Sequence, residues 1–336
     1  MRFSVRLIQH LGSPRDIIKL GILADQAGFD QAWFPSDKFM YHAWSIIAAL
    51  AENTSTIVVG ANGTEPYAIS PGEIAAFMAT LDHLSQGRVA IGFGMHTEKM
   101  VNWLGYDTSD RLQRIREAVE LMRRVWRGDN AKFDGQVYHW SDQCYLRFKA
   151  FRERIPIYIS GFAEDDLELS GELGEGSLPM VTPPESAKLM TRRILKGVHK
   201  AGKNPADFDV CGCAWFSISE NGEGTQTDTL KDILAYFGHY LDEEALATVG
   251  LSQAHFSATQ RLVDAGDYAA ARAAVTPEMM KLAVTGSPAD AIAKIEMLAE
   301  AGVTQVSIGG PLGPDPAAAI RLMGEKVIPY FRQNSN

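Results

Sequence analysis

Eight short runs rich in β-branched and other apolar residues recur along the chain, and this rhythm constrains the fold more than any other feature. They read FSVRLIQ, QAWFPS, TIVVGAN, RVAIGFG, IPIYISG, SLPMVT, VCGCAWFSIS and QVSIGG, with helical patterns standing between them. Strands that alternate with helices through short connections predict a parallel sheet covered by helices. Eight repeats is the count of a (β/α)8 barrel. RVAIGFG and VCGCAWFSIS are nearly continuous in apolar residues, as expected of strands buried on both faces. LADQAGFDQAWF and LAEAGVTQVSI repeat one device, a helix that ends at Ala-Gly and runs directly into a strand. Gly28 and Gly302 are therefore expected in the left-handed conformation that ends a helix. The alternative, an open doubly wound sheet, needs a topological switch and gives an eighth strand no special role.

A barrel accounts for all 336 residues as a single domain, 1–336, with two excursions. KFDGQVYHWSDQCYL predicts a β-hairpin turning at Asp134 and Gly135. From 220 to about 285 the patterns LKDILAYFGHYL, ATQRLVDAG and AARAAVTPEMMKLAV predict a helical insertion after strand seven. On a barrel this is the catalytic end, where insertions build lids and substrate walls.

Composition narrows the class of partner. With 46% hydrophobic and 22% charged residues the chain reads as an ordinary soluble globular protein with enough apolar surface to bury a large core. A net charge of −9 argues against nucleic acid, whose binding needs clustered Lys and Arg, and RRILKGVHKAGK reads as a helix with a solvated face. No apolar run approaches the ~20 residues that span a bilayer, and MRFSVRLIQH is a strand pattern rather than a signal peptide, so no membrane partner and a cytoplasmic location are expected. Cys144, Cys211 and Cys213 are too few and too poorly spaced for a disulfide framework or a zinc site, and no metal is expected. Cys211 and Cys213 share one strand face as small hydrophobes.

GFGMHT has two glycines of a dinucleotide fingerprint but carries Thr97 where the third would stand, so a phosphate cradle is a weak reading. Gly92 and Gly94 instead close the fourth strand, either to let a flat ring lie against the backbone or to allow tight strand packing. Polar groups gather at the same end of the predicted barrel. His10 follows strand one, Ser36, Asp37 and Lys38 strand two, and Asn62, Gly63, Thr64 and Glu65 strand three. His96 and Glu98 follow strand four, Ser160 and Gly161 strand five, and Thr182 strand six. Such a ring of titratable and hydrogen-bonding groups is what a barrel active site requires.

The stretch from WFPSDKFMYHAW through HLSQGRVAIGFG, together with IPIYISGFAEDDLELSGELGEGSLPMV and AGVTQVSIGGPLGPD, resembles the bacterial-luciferase-like flavin and deazaflavin oxidoreductases. Among them the chain is similar to the methylenetetrahydromethanopterin reductases over nearly its whole length. The resemblance implies a luciferase-like (β/α)8 barrel working with coenzyme F420 or, as the alternative, FMN. It implies hydride transfer between the reduced deazaflavin and a small electrophile, an imine, iminium or carbonyl. The ring is expected at the C-terminal mouth near Asp37, Asn62, Gly63, Thr64, Gly92 and Gly94, with a non-proline cis peptide between Asn62 and Gly63. Phosphate contacts are expected at Ser160, Gly161, Phe162 and Ala163, with Thr182 beside them. Asp37 would position the cofactor or act as acid or base, His96 with Glu98 would move the proton, and His10, Lys38 and Trp44 would line the substrate pocket. A homo-oligomer, dimer or tetramer, is also implied.

Departures from the reductase pattern loosen the expectation of a pterin substrate. Arg6 stands in place of a glutamate, Lys38 of a histidine and His96 of a glycine, while Ala163-Glu164 replaces a Gly-Pro pair. Acidic groups after strand five stabilise a helix start but repel a phosphate. Two other functions stay open: a reduced-FMN-dependent monooxygenase on the same barrel, and a non-catalytic flavin-binding protein.

Overall fold

The computed structural model describes residues 1–94, 98–161 and 163–333. Its strands are β1 (Arg2–Arg6), β2 (Gln31–Pro35), β3 (Val58–Asn62), β4 (Ile91–Phe93), β5 (Ile157–Ile159), β6 (Gly176–Ser177), β7 (Cys211–Ile218) and β8 (Gln305–Leu312). Seven of the eight expected runs contain a strand, the run SLPMVT contributes only Ser177 to one, and all eight strands pair in parallel. Single bridges Val59 to Val89, Thr64 to Phe93 and Gly176 to Asp209 join β3 to β4 and β6 to β7. With Arg2 opposite Gln305, β8 returns to β1 and the ring of a (β/α)8 barrel is complete.

The helices that cover it are α1 (Pro14–Gln26), α2 (Ala43–Asn53), α3 (Pro71–Leu84), α4 (Arg111–Arg127), α5 (Glu164–Leu173), α6 (Ala187–Lys200), α7 (Pro288–Glu300) and α8 (Pro316–Leu322). Three of them start at the same local signal, Ser-Pro-x-Asp/Glu. The hydroxyls of Ser13, Ser70 and Ser287 accept from the amides of Asp16, Glu73 and Asp290, and proline fills the first turn, where no amide is missed. Gly28 (φ 84°) and Gly302 (φ 88°) end α1 and α7 in the left-handed region, as the Ala-Gly repeat predicts.

At the N-terminal end of the barrel, one buried carboxylate ties the strands together. Asp209 accepts from Arg2 (2.6 Å), Tyr158 (2.8 Å), Thr304 (2.6 Å) and Gln305 (2.9 Å), drawing on β1, β5, β8 and the turn before β8. Ser4 donates to Gln305 at 3.0 Å and extends the network along β1.

Both excursions form. In the hairpin Phe133 faces Trp140 and Asp134 faces His139. The Glu117 carboxylate of α4 accepts the amides of Gln136, Val137 and Tyr138. Burial pushes its pKa up, but these bonds and one from Gln113 outweigh burial and hold it below the usual range. The insertion carries helices Asp228–Phe237, Gln253–Asp264 and Tyr268–Ala273 and packs its own apolar cluster, including Leu230, Ile233, Leu234, Phe256 and Met280, on Trp215 and Val181. It is not helical to its end, as the sequence pattern suggested. Ala283–Gly286 is a strand parallel to Trp215–Ile218, where the outer half of β7 leaves a free edge.

Candidate active site

The C-terminal ends of the barrel strands surround a cavity of about 410 Å³, a size that suits a small-molecule site. Arg6, Ile8, Gln9 and His10 line it from the end of β1, Pro35 and Asp37 from β2, Asn62 from β3 and Met180 from the turn after β6. Cys213 and Trp215 enter from β7 and Gly309 and Gly310 from β8. The insertion closes one side with Ile233, Tyr236 and Phe237, and Met40, Met100 and Trp103 close the other. Apolar and aromatic walls with a few polar groups suit a planar ring that needs orientation in a dry site.

Of the expected pocket residues, His10, Asp37 and Asn62 lie on this wall; His10 is exposed, Asp37 half-buried and Asn62 buried. Lys38 and Trp44 do not. The Lys38 ammonium pairs with the buried carboxylate of Glu65, which also accepts the Tyr67 amide at 2.6 Å. Trp44 lies on α2 and stacks on Phe77 of α3 at 4.3 Å between ring centres, so it packs between helices. His96 and Phe162 lie outside the described residues, as does the side chain of Glu98, which opens the short helix Glu98–Asn102.

The opening made by the glycines of β4 is filled by protein. A methyl group added at Gly92 would sit 2.7 Å from the Asn62 Cα, and one at Gly94 2.6 Å from the Ser160 carbonyl oxygen. Close strand packing accounts for both. Nor is the Asn62–Gly63 bond cis. It is trans, Gly63 turns the chain with φ of 69°, and the cis peptide among the described residues is Gly310–Pro311. An Asn-Gly pair turns an ordinary trans chain readily once glycine takes the left-handed conformation.

Next to Asn62, the ends of β3, β4 and β5 form a row. Thr64 donates its amide to Gly92 and accepts from Gly94, and Ser160 donates to Phe93. The hydroxyls of Thr64 and Ser160 are both buried and have no hydrogen-bond partner among the described residues. Buried hydroxyls without partners are costly, and of this row only Asn62 lines the mouth cavity.

The loop after β5 is less suited to a phosphate than expected. Ala163 donates its amide to Asp166 at 3.3 Å, and Gly161 is there because any side chain would strike that carboxylate. Glu164, Asp165 and Asp166 fill the first turn of α5, with Arg111 bridging Asp165 and Asp166 and Arg193 facing Glu164. The anion at this helix start is the protein's own. Thr182, with its hydroxyl 2.9 Å from the Met190 sulfur, and Gly161 line only a narrow crevice beneath Arg193, whose charge Asp242 and Glu244 also meet.

Sequence reasoning missed Trp215, Met180 and the insertion aromatics Tyr236 and Phe237, because their approach to the mouth depends on how the insertion folds back. Arg6 as a pocket residue was within reach, since a cation in the middle of FSVRLIQ breaks the apolar pattern of a buried strand.

A family model described as luciferase-like monooxygenase matches residues 1–305. A 5,10-methylenetetrahydromethanopterin reductase of Archaeoglobus fulgidus is 32% identical over 315 residues, covering 92% of this chain and 94% of its own. The structure of the coenzyme F420-dependent tetrahydromethanopterin reductase of Methanopyrus kandleri superposes with a TM-score of 0.90 at 26% identity, over 98% of this chain and 99% of that one. An F420-dependent secondary alcohol dehydrogenase shares the fold at a TM-score of 0.77 and 20% identity, over 97% of this chain and 98% of that one.

Proposed function

From the premise that the chain belongs to the luciferase-like monooxygenase family, we propose that it is an F420-dependent oxidoreductase acting on a small imine, iminium or carbonyl compound. The observation that carries this reading is the near full-length likeness to the Archaeoglobus fulgidus reductase, on a barrel whose mouth holds a cavity of matching character. When bound and reduced, the deazaflavin supplies the hydride.

The chain's own residues do the rest. Asn62, on the cavity wall, would receive the polar edge of the ring, with Thr64 and Ser160 at the adjoining strand ends. Trp215, Tyr236 and Phe237 would exclude water from the reacting face. Asp37, on the wall at the end of β2, would fix the cofactor or hold the proton at a carboxylate oxygen. His96 and Glu98, which follow β4 in the sequence, would pass a proton to the reduced product. The loop after β5 carries its own carboxylates, so the cofactor's phosphate would sit elsewhere.

The family description favours one other reading, a monooxygenase using reduced FMN. Anaerobic mixing with reduced F420 and a panel of imines, iminium ions and carbonyl compounds tests the first reading: reoxidation of the cofactor without oxygen supports it. Oxygen consumption with reduced FMN, and no anaerobic turnover, would transfer the assignment to the second.

A further inference from the structure

Arg6 is buried, with 5% of its surface exposed, and its side chain reaches the floor of the mouth cavity from β1. It donates to the Ser307 hydroxyl (3.3 Å) and to the carbonyls of Met180 (3.0 Å) and Pro179. All three acceptors are neutral. Burying a cation without an opposite charge is expensive, and neutral acceptors recover only part of the lost hydration.

No group on the described wall supplies that charge. Asp232 is bound by Arg272 at 2.7 Å, and neither it nor Asp37 approaches the Arg6 guanidinium within the 4.0 Å of an ion pair. The ionisable neighbours on β7 do not help either. Burial pushes the Cys211 and Cys213 thiols up in pKa, more than Arg6 draws them down, so both stay neutral. The guanidinium also carries more N–H donors than its three acceptors use. A group whose only task was to brace the turn at Pro179 and Met180 needs no charge.

We propose that Arg6 makes the cavity floor a receptor for an anionic oxygen group, carried either by the substrate as a carboxylate or by the cofactor. A planar fork of donors suits a carboxylate, and the aromatic and aliphatic walls above suit the apolar body attached to it. This deepens the functional reading above and rests on it for the identity of the cavity as the reaction site. It narrows the electrophile to one that bears an acid, unless the anion is the cofactor's own.

Benzoate and its neutral isostere benzamide are the probes, titrated calorimetrically into the apoprotein. Benzoate is expected to bind at least tenfold more tightly than benzamide, with the preference lost in Arg6→Gln and kept in Arg6→Lys. Equal affinities in the wild type, no benzoate binding, or a preference that survives Arg6→Gln would overturn the proposal; the wild-type comparison decides even where a variant does not fold. Repeating the titration with saturating oxidised F420 separates the sources. Benzoate that still binds assigns the anion to the substrate, and benzoate that is displaced assigns it to the cofactor. Failure of F420 to bind would remove the functional reading and leave the apoprotein result standing.

Discussion

Arg2 and Arg6 lie on the same strand, four residues apart, and meet opposite fates. Arg2, at the N-terminal end of the barrel, is half-exposed and pairs with the buried Asp209 carboxylate at 2.6 Å. Arg6, at the C-terminal end, is buried and meets only neutral acceptors. The bottom of the barrel thus gathers its charges on one another, and the mouth leaves a cation without an opposite charge and the hydroxyls of Thr64 and Ser160 without hydrogen-bond partners among the described residues. One end is built for stability and the other holds polarity for a ligand.

The contrast breaks first at Asp209. Asp209→Ala strands the Tyr158, Thr304 and Gln305 donors and is expected to cost about 3–5 kcal/mol, the scale of a broken buried charge network. Urea unfolding measures it, and a loss below about 1 kcal/mol would deny the bottom its locking role. At the mouth, the large effects should fall on function. His96→Ala is expected to lower turnover roughly a hundredfold with F420 affinity nearly intact, whereas Asp37→Ala weakens F420 binding. Unchanged turnover of the His96 variant at saturating substrate would take it out of the mechanism.

Lys203 sharpens the comparison through pH. It follows α6 at the N-terminal end and donates to the carbonyls of Gly171 (3.0 Å) and Gly174 (2.7 Å). Burial lowers its pKa to about 8, against an ordinary value of 10.5. Between these values the unfolded chain binds the proton that the folded chain has released, so this group adds stability as pH rises from about 8 to 10.5. The wild type minus Lys203→Met difference in unfolding free energy should therefore grow across that window, and a flat difference would contradict the shift. The smallest effect is expected where the cation has no opposite charge: in Arg6→Met, removing a buried charge offsets the three hydrogen bonds given up, so stability should change by no more than about 1 kcal/mol in the same urea assay. A loss as large as that of Asp209→Ala would make Arg6 a structural group like Arg2.

The fold was legible because its signals are local and repeated. Each strand is marked by a short apolar run, and the Ala-Gly stops at Gly28 and Gly302 are read directly from the chain. The strand Ala283–Gly286 escaped because KLAV follows a helical pattern, and only the free edge of β7 makes it extended. The site was legible by location, which put His10, Asp37 and Asn62 at the mouth, and not by contact. Lys38 and Trp44 both follow β2, but Glu65 and Phe77 claim them, and no spacing rule reveals such partners. In the same way, Gly161 suggests a phosphate turn until Asp166 is seen beside it.

The central claim is that the mouth of this barrel binds the deazaflavin. Equilibrium titration of the apoprotein with F420 and FMN, each oxidised and reduced, tests it most directly. F420 is expected to bind at least tenfold more tightly than FMN, a difference of about 1.4 kcal/mol that a few contacts supply. FMN binding as tightly as F420, or more tightly, would contradict it.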